Sequence, residues 1–219
     1  MIDLYCERVA PGLFGEPLNA LSNLAFVVAA WLAWRYAARM SALSADVRLL
    51  SILMAAIGIG SALFHTFATR WAMLLDIVPI FVFQLAFLWV YCGSVIGMPR
   101  RVRWFAVVAL FIAVAASLPL AGHLNGSPIY VPALVTLVLL ALWHRRHVVH
   151  EPLRLTWAAA LFMLSLTART ADQALCTSWP AGTHFAWHLL NGAVLFFAIT
   201  ALITARGPSH TGVNARHPT

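Results

Sequence analysis

Gly58-Ile59-Gly60-Ser61-Ala62-Leu63-Phe64-His65-Thr66, followed after Trp71 by Asp76, lies across the junction of two long apolar segments and decides how the chain is read. A serine, a histidine and an aspartate in such surroundings are costly unless they have partners. If both segments are helical, Ser61 and His65 stand four residues apart and share a face. A second polar cluster, His184-Phe185-Ala186-Trp187-His188, repeats that spacing at the start of the last apolar segment. Two histidines at i and i+4 can chelate one metal from a single helix, and a third from another helix completes the open three-ligand set of a catalytic zinc site. The expectation is one intramembrane zinc centre.

Composition agrees with a membrane setting. Of 219 residues 62% are hydrophobic and only 10% are charged, which places the chain in the membrane class. All fourteen basic residues are arginine. They fall in short clusters between apolar spans, the pattern of topology signals and not of a nucleic-acid groove, so no nucleic-acid partner is expected. The first residues lack the basic region and short apolar core of a removable signal peptide.

Segment 1–18 is polar, with Pro11, Gly12, Gly15 and Pro17, and reads as an ordered loop outside the bilayer. Seven apolar spans follow, at about 19–36, 49–67, 71–98, 105–122, 129–143, 155–171 and 185–205, together the transmembrane domain 19–206. The tail 207–219 is small, polar and proline-containing and is expected to be disordered. The fold class is therefore an all-α membrane protein, a seven-transmembrane helix bundle. The face holding the loops after spans one, three and five, with the tail, carries Arg35, Arg39, Arg48, Arg100, Arg101, Arg103, Arg145, Arg146, Arg154, Arg206 and Arg216, against Arg8, Arg70 and Arg169 on the other. That asymmetry puts the N-terminus outside and the C-terminus in the cytoplasm. In this topology His65, Asp76, His184 and His188 all come to the outer end of the bundle. The loop His144-Arg145-Arg146-His147-Val148-Val149-His150 also gathers three histidines, but its interleaved arginines disfavour a cation.

Three neutral imidazoles leave zinc a fourth position for a water and lower the pKa of that water. Asp76, the only acid between Asp46 and Glu151, is the candidate base that takes its proton. Ser61 either donates a hydrogen bond to the oxyanion of a tetrahedral intermediate or is a small residue permitting close helix packing beside Gly58 and Gly60. Arg169 and Asp172, at i and i+3 near the outer end of span six, read as an intrahelical ion pair.

Gly60-Ser61 with His65, Asp76 with Pro79 behind it, His184-x-x-x-His188, and the N-terminal Cys6-Glu7 and Glu16-Pro17-Leu18-Asn19 with Ser22-Asn23 together resemble the alkaline ceramidase family of the CREST hydrolase superfamily, relatives of the adiponectin receptors. The resemblance covers nearly the whole chain. It implies His65, His184 and His188 as zinc ligands, Asp76 as the group that orients and deprotonates the water, and Ser61 as the oxyanion donor. The implied reaction is hydrolysis of a ceramide amide to a sphingoid base and a fatty acid, with a membrane lipid as substrate, in a bacterial inner membrane with the site toward the periplasm. Eukaryotic members carry a calcium site built on an Asp-Trp-Cys-Glu-x-Asn motif and a later glutamate. Here Leu4-Tyr5-Cys6-Glu7-Arg8-Val9 aligns with it without the motif's Asp and Asn, and the candidate calcium ligands are Asp3, Glu7 and Glu16; the other reading has Glu7 and Glu16 as helix-capping or Arg8-pairing groups. Cys6 and Cys176 both flank the outer face, where disulfides persist, and the resemblance supports their pairing. Two other classes stay open on sequence: a receptor-like protein with structural zinc, and a bis-histidine haem protein.

Overall fold

The computed structural model describes residues 1–10, 12 and 14–207, and among them it is helical throughout, with no strand. A short helix α1 (Pro17–Ser22) leads across Asn23 into α2 (Leu24–Arg39). Then come α3 (Ala45–Phe67), α4 (Arg70–Ser94), α5 (Arg100–Ser117), α6 (Val131–His147), α7 (Arg154–Leu175) and α8 (His184–Arg206). Counting α1 and α2 as one span, six of these are long and apolar enough to cross a membrane. The exception is α7, whose 22 residues include Arg154, Arg169 and Asp172. Large apolar side chains such as Phe105, Leu139 and Trp157 stand exposed on the outer surface, which is the surface a lipid solvent requires. The tail read as disordered lies, from residue 208 on, outside the described residues.

The helices pack as a closed ring, each against the next in the chain, with α8 returning to α2 and also touching α3; α5 leans on α4 and only lightly on α6. The α2–α8 seam rests on small residues. Ala29, Ala30, Ala33 and Ala37 recur at helical spacing and are buried against Ala198, Ile199 and Leu202 of α8 and Leu50, Met54 and Ile57 of α3. In hydrocarbon this close approach replaces the missing hydrophobic drive between helices.

Glycine sets the approach of α3 to its neighbours at the depth where polar residues begin. A Cβ on Gly60 would run into the Leu75 carbonyl of α4, and one on Gly58 would meet the Asn23 carbonyl and Phe26. Pro79, inside α4, has no N–H to give to the carbonyl four residues back. That carbonyl is Leu75, so the Gly60 backbone lies against an acceptor that α4 itself leaves unclaimed, and weak Cα–H donation suits it.

The N-terminal segment is folded over the ends of α3, α7 and α8. The Ile2 amide donates to the Ala68 carbonyl (2.8 Å) and the Gly12 amide to that of Thr66 (3.1 Å). Cys6 is bonded to Cys176 across 170 residues, with Cα atoms 5.2 Å apart; Cys92 is free and buried. At the far end of the bundle Arg206 pairs with Asp46 and donates to Ser94 (2.8 Å), joining α8, α3 and α4.

Replacing Cys176 by serine is expected to lower stability by roughly 2–4 kcal/mol, the range for opening a long disulfide loop, read as a fall in thermal midpoint in detergent; an unchanged midpoint would show that the segment is held by its other contacts.

Candidate metal centre

His65 ends the last full turn of α3, and His184 and His188 open α8, one turn apart. Their side chains meet: ring centroids are 5.3 Å apart for His65 and His184, 4.8 Å for His65 and His188, and 4.6 Å for His184 and His188. All three are buried, and one ring nitrogen from each lies within 4.8 Å of the others. Among the described residues this is the one histidine, cysteine and acid group arranged to hold a metal.

Each ring is aimed by a neighbour. His65 Nδ1 meets the Glu16 carboxylate, which fixes the proton there and leaves Nε2 as the free donor atom. That Nε2 is buried without a partner. Ser22 gives its hydroxyl proton to the Asn19 carbonyl (3.0 Å) and lies 2.7 Å from His188 Nδ1, so its oxygen accepts from that nitrogen and again Nε2 is freed. His184 stacks on Tyr5, centroids 3.6 Å apart, and its Nδ1 is buried without a partner. Unpaired buried nitrogens are costly in a protein interior. Here neutral imidazole nitrogens face one point, a donor set that fits a metal of zinc type, and carboxylate or hydroxyl groups behind the rings are what metal-ligating histidines ordinarily have.

The backbone that carries these rings is capped from outside its own helix. Asp172 of α7 accepts the amides of Thr183 (2.7 Å) and His184 (2.9 Å) at the start of α8, and of Cys6 (3.1 Å) with its other oxygen. This overturns the intrahelical Arg169–Asp172 ion pair expected from sequence. The carboxylate is drawn to two amides at a helix N-terminus, where its charge meets the positive end of the dipole, and to the Cys6 amide beside them. Arg169 turns away to the Tyr5 hydroxyl (3.0 Å).

Asp76 and Ser61 face each other across the α3–α4 contact, the Ser61 hydroxyl donating to the Asp76 carboxylate. Gly60, one residue earlier, is what lets the α4 backbone come this close.

The candidate calcium ligands Asp3, Glu7 and Glu16 do not assemble. Asp3 is exposed. Glu7 accepts the Leu18 (2.6 Å) and Asn19 (2.8 Å) amides at the start of α1; burial pushes its carboxyl above the usual range, against the pull of those two amides. Glu16 is bound by Arg8, His65 and the Asn19 amide group. The Arg8 guanidinium, buried, also donates to the carbonyls of His65 (3.0 Å) and Ala10 (3.3 Å). A cation belonging to the chain already occupies the space among these oxygens, so the residues do not fit a calcium ion. The pairing of Arg8 with Glu16 was one of the two readings of that segment, whereas the roles of Ser22 and Tyr5 behind the imidazoles were not visible; the one signal was a polar cluster just ahead of the first apolar span. Burial raises the Tyr5 phenol above its ordinary range, and nearby Arg169 opposes this.

A family model described as Ceramidase matches residues 4–214. No curated protein matches the chain.

Metal analysis of the purified protein is expected to find one ion per chain, lost in His184→Ala or His188→Ala. Glu16→Gln, which leaves all three ligands, should weaken metal affinity by about 10–100-fold; full occupancy in either histidine variant would remove the centre from these residues.

Proposed function

Because the chain belongs to the ceramidase family, we propose that it is a zinc-dependent amidase working inside the membrane, cleaving the N-acyl bond of ceramide or a related N-acyl lipid to a fatty acid and a sphingoid base or amine. The observation that carries this reading is the convergence of three buried imidazoles, each with a nitrogen to spare, on the end of the bundle that also holds the Asp76–Ser61 pair. Trp187, beside His188 in sequence, walls an apolar cavity inside the bundle. From Tyr130 to Leu140 on α6 and from Trp187 to Ala198 on α8 its lining runs roughly 15 Å along the bundle, which suits an acyl chain.

Zinc at His65, His184 and His188 would supply a water of lowered pKa and polarise the amide carbonyl. Asp76 accepts the proton of the attacking water and returns it to the nitrogen as the C–N bond breaks. The Ser61 hydroxyl holds Asp76 in position beforehand. Once Asp76 is protonated its hold on that hydroxyl weakens, and the hydroxyl turns to the oxyanion developing on the carbonyl. Water oxygen has then joined the acyl carbon, the amine has left with a proton, and the acid ionises.

A second apolar cavity lies between α4 and α5, and it shares Ile80, Gln84 and Tyr130 with the first. It gives a lipid tail a sideways route from the bilayer, past the helix that packs most loosely. Seven spans, with the N-terminal segment outside and the metal centre toward the periplasmic side of a bacterial inner membrane, are supported by the arginine asymmetry. The Cys6–Cys176 bridge at the same end as the histidines supports it independently, since disulfides persist on the oxidising side.

Asp76→Asn is expected to keep its metal while losing turnover of an N-acyl sphingoid lipid by about 10² or more. Metal analysis and a lipid-amide assay on the same preparation check this; loss of the ion would make Asp76 a ligand, and undiminished turnover would take it out of the reaction.

A further inference from the structure

Arg169 is 7% exposed and sits in a cage of three rings, its guanidinium carbon 5.5 Å from the centre of Tyr5, 5.2 Å from Tyr130 and 5.2 Å from Trp187. One nitrogen donates to Tyr5. No other hydrogen bond leaves its side chain among the described residues, and Nε is buried without a partner. No carboxylate there forms an ion pair with it either. Aromatic faces offset part of the cost of a buried cation, but they accept none of the remaining N–H bonds. A fixed, planar, under-bonded guanidinium is matched in geometry and charge by a carboxylate.

Its place says which carboxylate. Tyr130 and Trp187, two walls of the cage, also line the acyl-sized cavity. Tyr5, the third, stacks on His184 of the metal centre. The cation therefore stands behind two rings of the cavity wall, on the side toward the histidines, and is not itself part of the lining. Gly126, in the turn Leu124–Tyr130, passes so close that a Cβ there would lie 3.1 Å from Arg169 Nη2. The Asn125 amide group donates to the Arg169 carbonyl (2.9 Å), so the turn before α6 is pinned to this part of α7.

We propose that Arg169 is the subsite for the carboxylate of a long-chain fatty acid whose tail fills the cavity, and that it holds the acid released by the reaction after the amine has left. This rests on the reading of the chain as an N-acyl hydrolase. The amide substrate is neutral and its acid product is an anion, so a buried cation next to the cavity wall separates the two by charge.

The test compares two probes with the same tail, hexadecanoate and hexadecan-1-ol, by calorimetric titration of the full-length protein in detergent. The wild-type protein should bind the acid at least about tenfold more tightly than the alcohol, the range for a charge-assisted bond. Arg169→Gln should bring the two affinities within about twofold of each other while leaving the alcohol's unchanged. Tyr5→Phe, which cuts only the tether to Tyr5, should retain the preference. If Arg169→Gln does not fold, Arg169→Lys should still reduce the preference by about threefold, because an ammonium cannot make the paired bonds of the fork. Equal affinities in the wild type, or a preference undiminished in the Arg169 variants, would hand the carboxylate to the metal centre or to none and overturn the proposal. The preference found in a protein that cleaves no amide would remove the hydrolase reading and leave the subsite; cleavage without the preference would do the reverse.

Discussion

The Glu16 carboxylate, shared between the Arg8 guanidinium and His65 Nδ1, is the contact on which the histidine end of this bundle depends. A carboxylate and a guanidinium buried together are tolerable only if both are fully used, because removing one partner strands the other. Glu16 meets that demand with Arg8, His65 and Asn19, and Arg8 meets it with Glu16 and two backbone carbonyls. The result is a polar plug outside the first apolar span that aims the first of the three imidazoles. It also explains why segment 1–10 is ordered, although little of it is helical: its charges complete the partners of residues in α1 and α3.

The other two imidazoles are aimed by a separate set of groups, and the two sets meet at Cys6. Its amide donates to Asp172, the acid that caps α8 beneath His184, and its sulfur is tied to Cys176 just past the end of α7. Moving the N-terminal segment would disturb the carboxylate behind His65, the Tyr5 ring on His184 and the cap of α8 together. Polar networks of this kind in a low-dielectric setting specify one arrangement because partial satisfaction is so unfavourable.

The histidine cluster was legible because i,i+4 spacing and the alternation of spans carry three-dimensional information: His184 and His188 must share a face, and His65 must come to the same end. The apolar spans were legible for the same reason that hydropathy works in general. What was not legible depended on choices between equally short-range partners. Arg169 and Asp172 satisfy the spacing of an ion pair, yet two backbone amides at the head of α8 and that of Cys6 outcompete one guanidinium for the carboxylate, and nothing in the local sequence announces where α8 begins in space. Glu7 and Glu16 read from sequence either as cation ligands or as helix-capping and Arg8-pairing groups, and the structure has the second: Glu7 takes amides at the start of α1 and Glu16 pairs with Arg8. Helix α7 combines these misreadings: its inward-facing charges lower its hydropathy below that of the other six, and those same charges organise the site.

The division of labour along the bundle axis follows from the cost of polar groups in hydrocarbon. Polar residues are concentrated at the two ends, with Arg206, Asp46 and Ser94 closing one and the histidine cluster with its supports closing the other. The middle is left to apolar side chains and to Gln84, Thr136 and Asn191 in the cavity wall. A cavity there survives because α5 is held to the ring chiefly through α4 and buries little beyond Leu110 and Ser117. Were α5 packed as tightly as α8, the space between α4 and α6 would close and the metal centre would face a solid core. The loose packing of one helix against a rigid, cross-tied remainder is thus what keeps apolar space open inside the bundle and between α4 and α5.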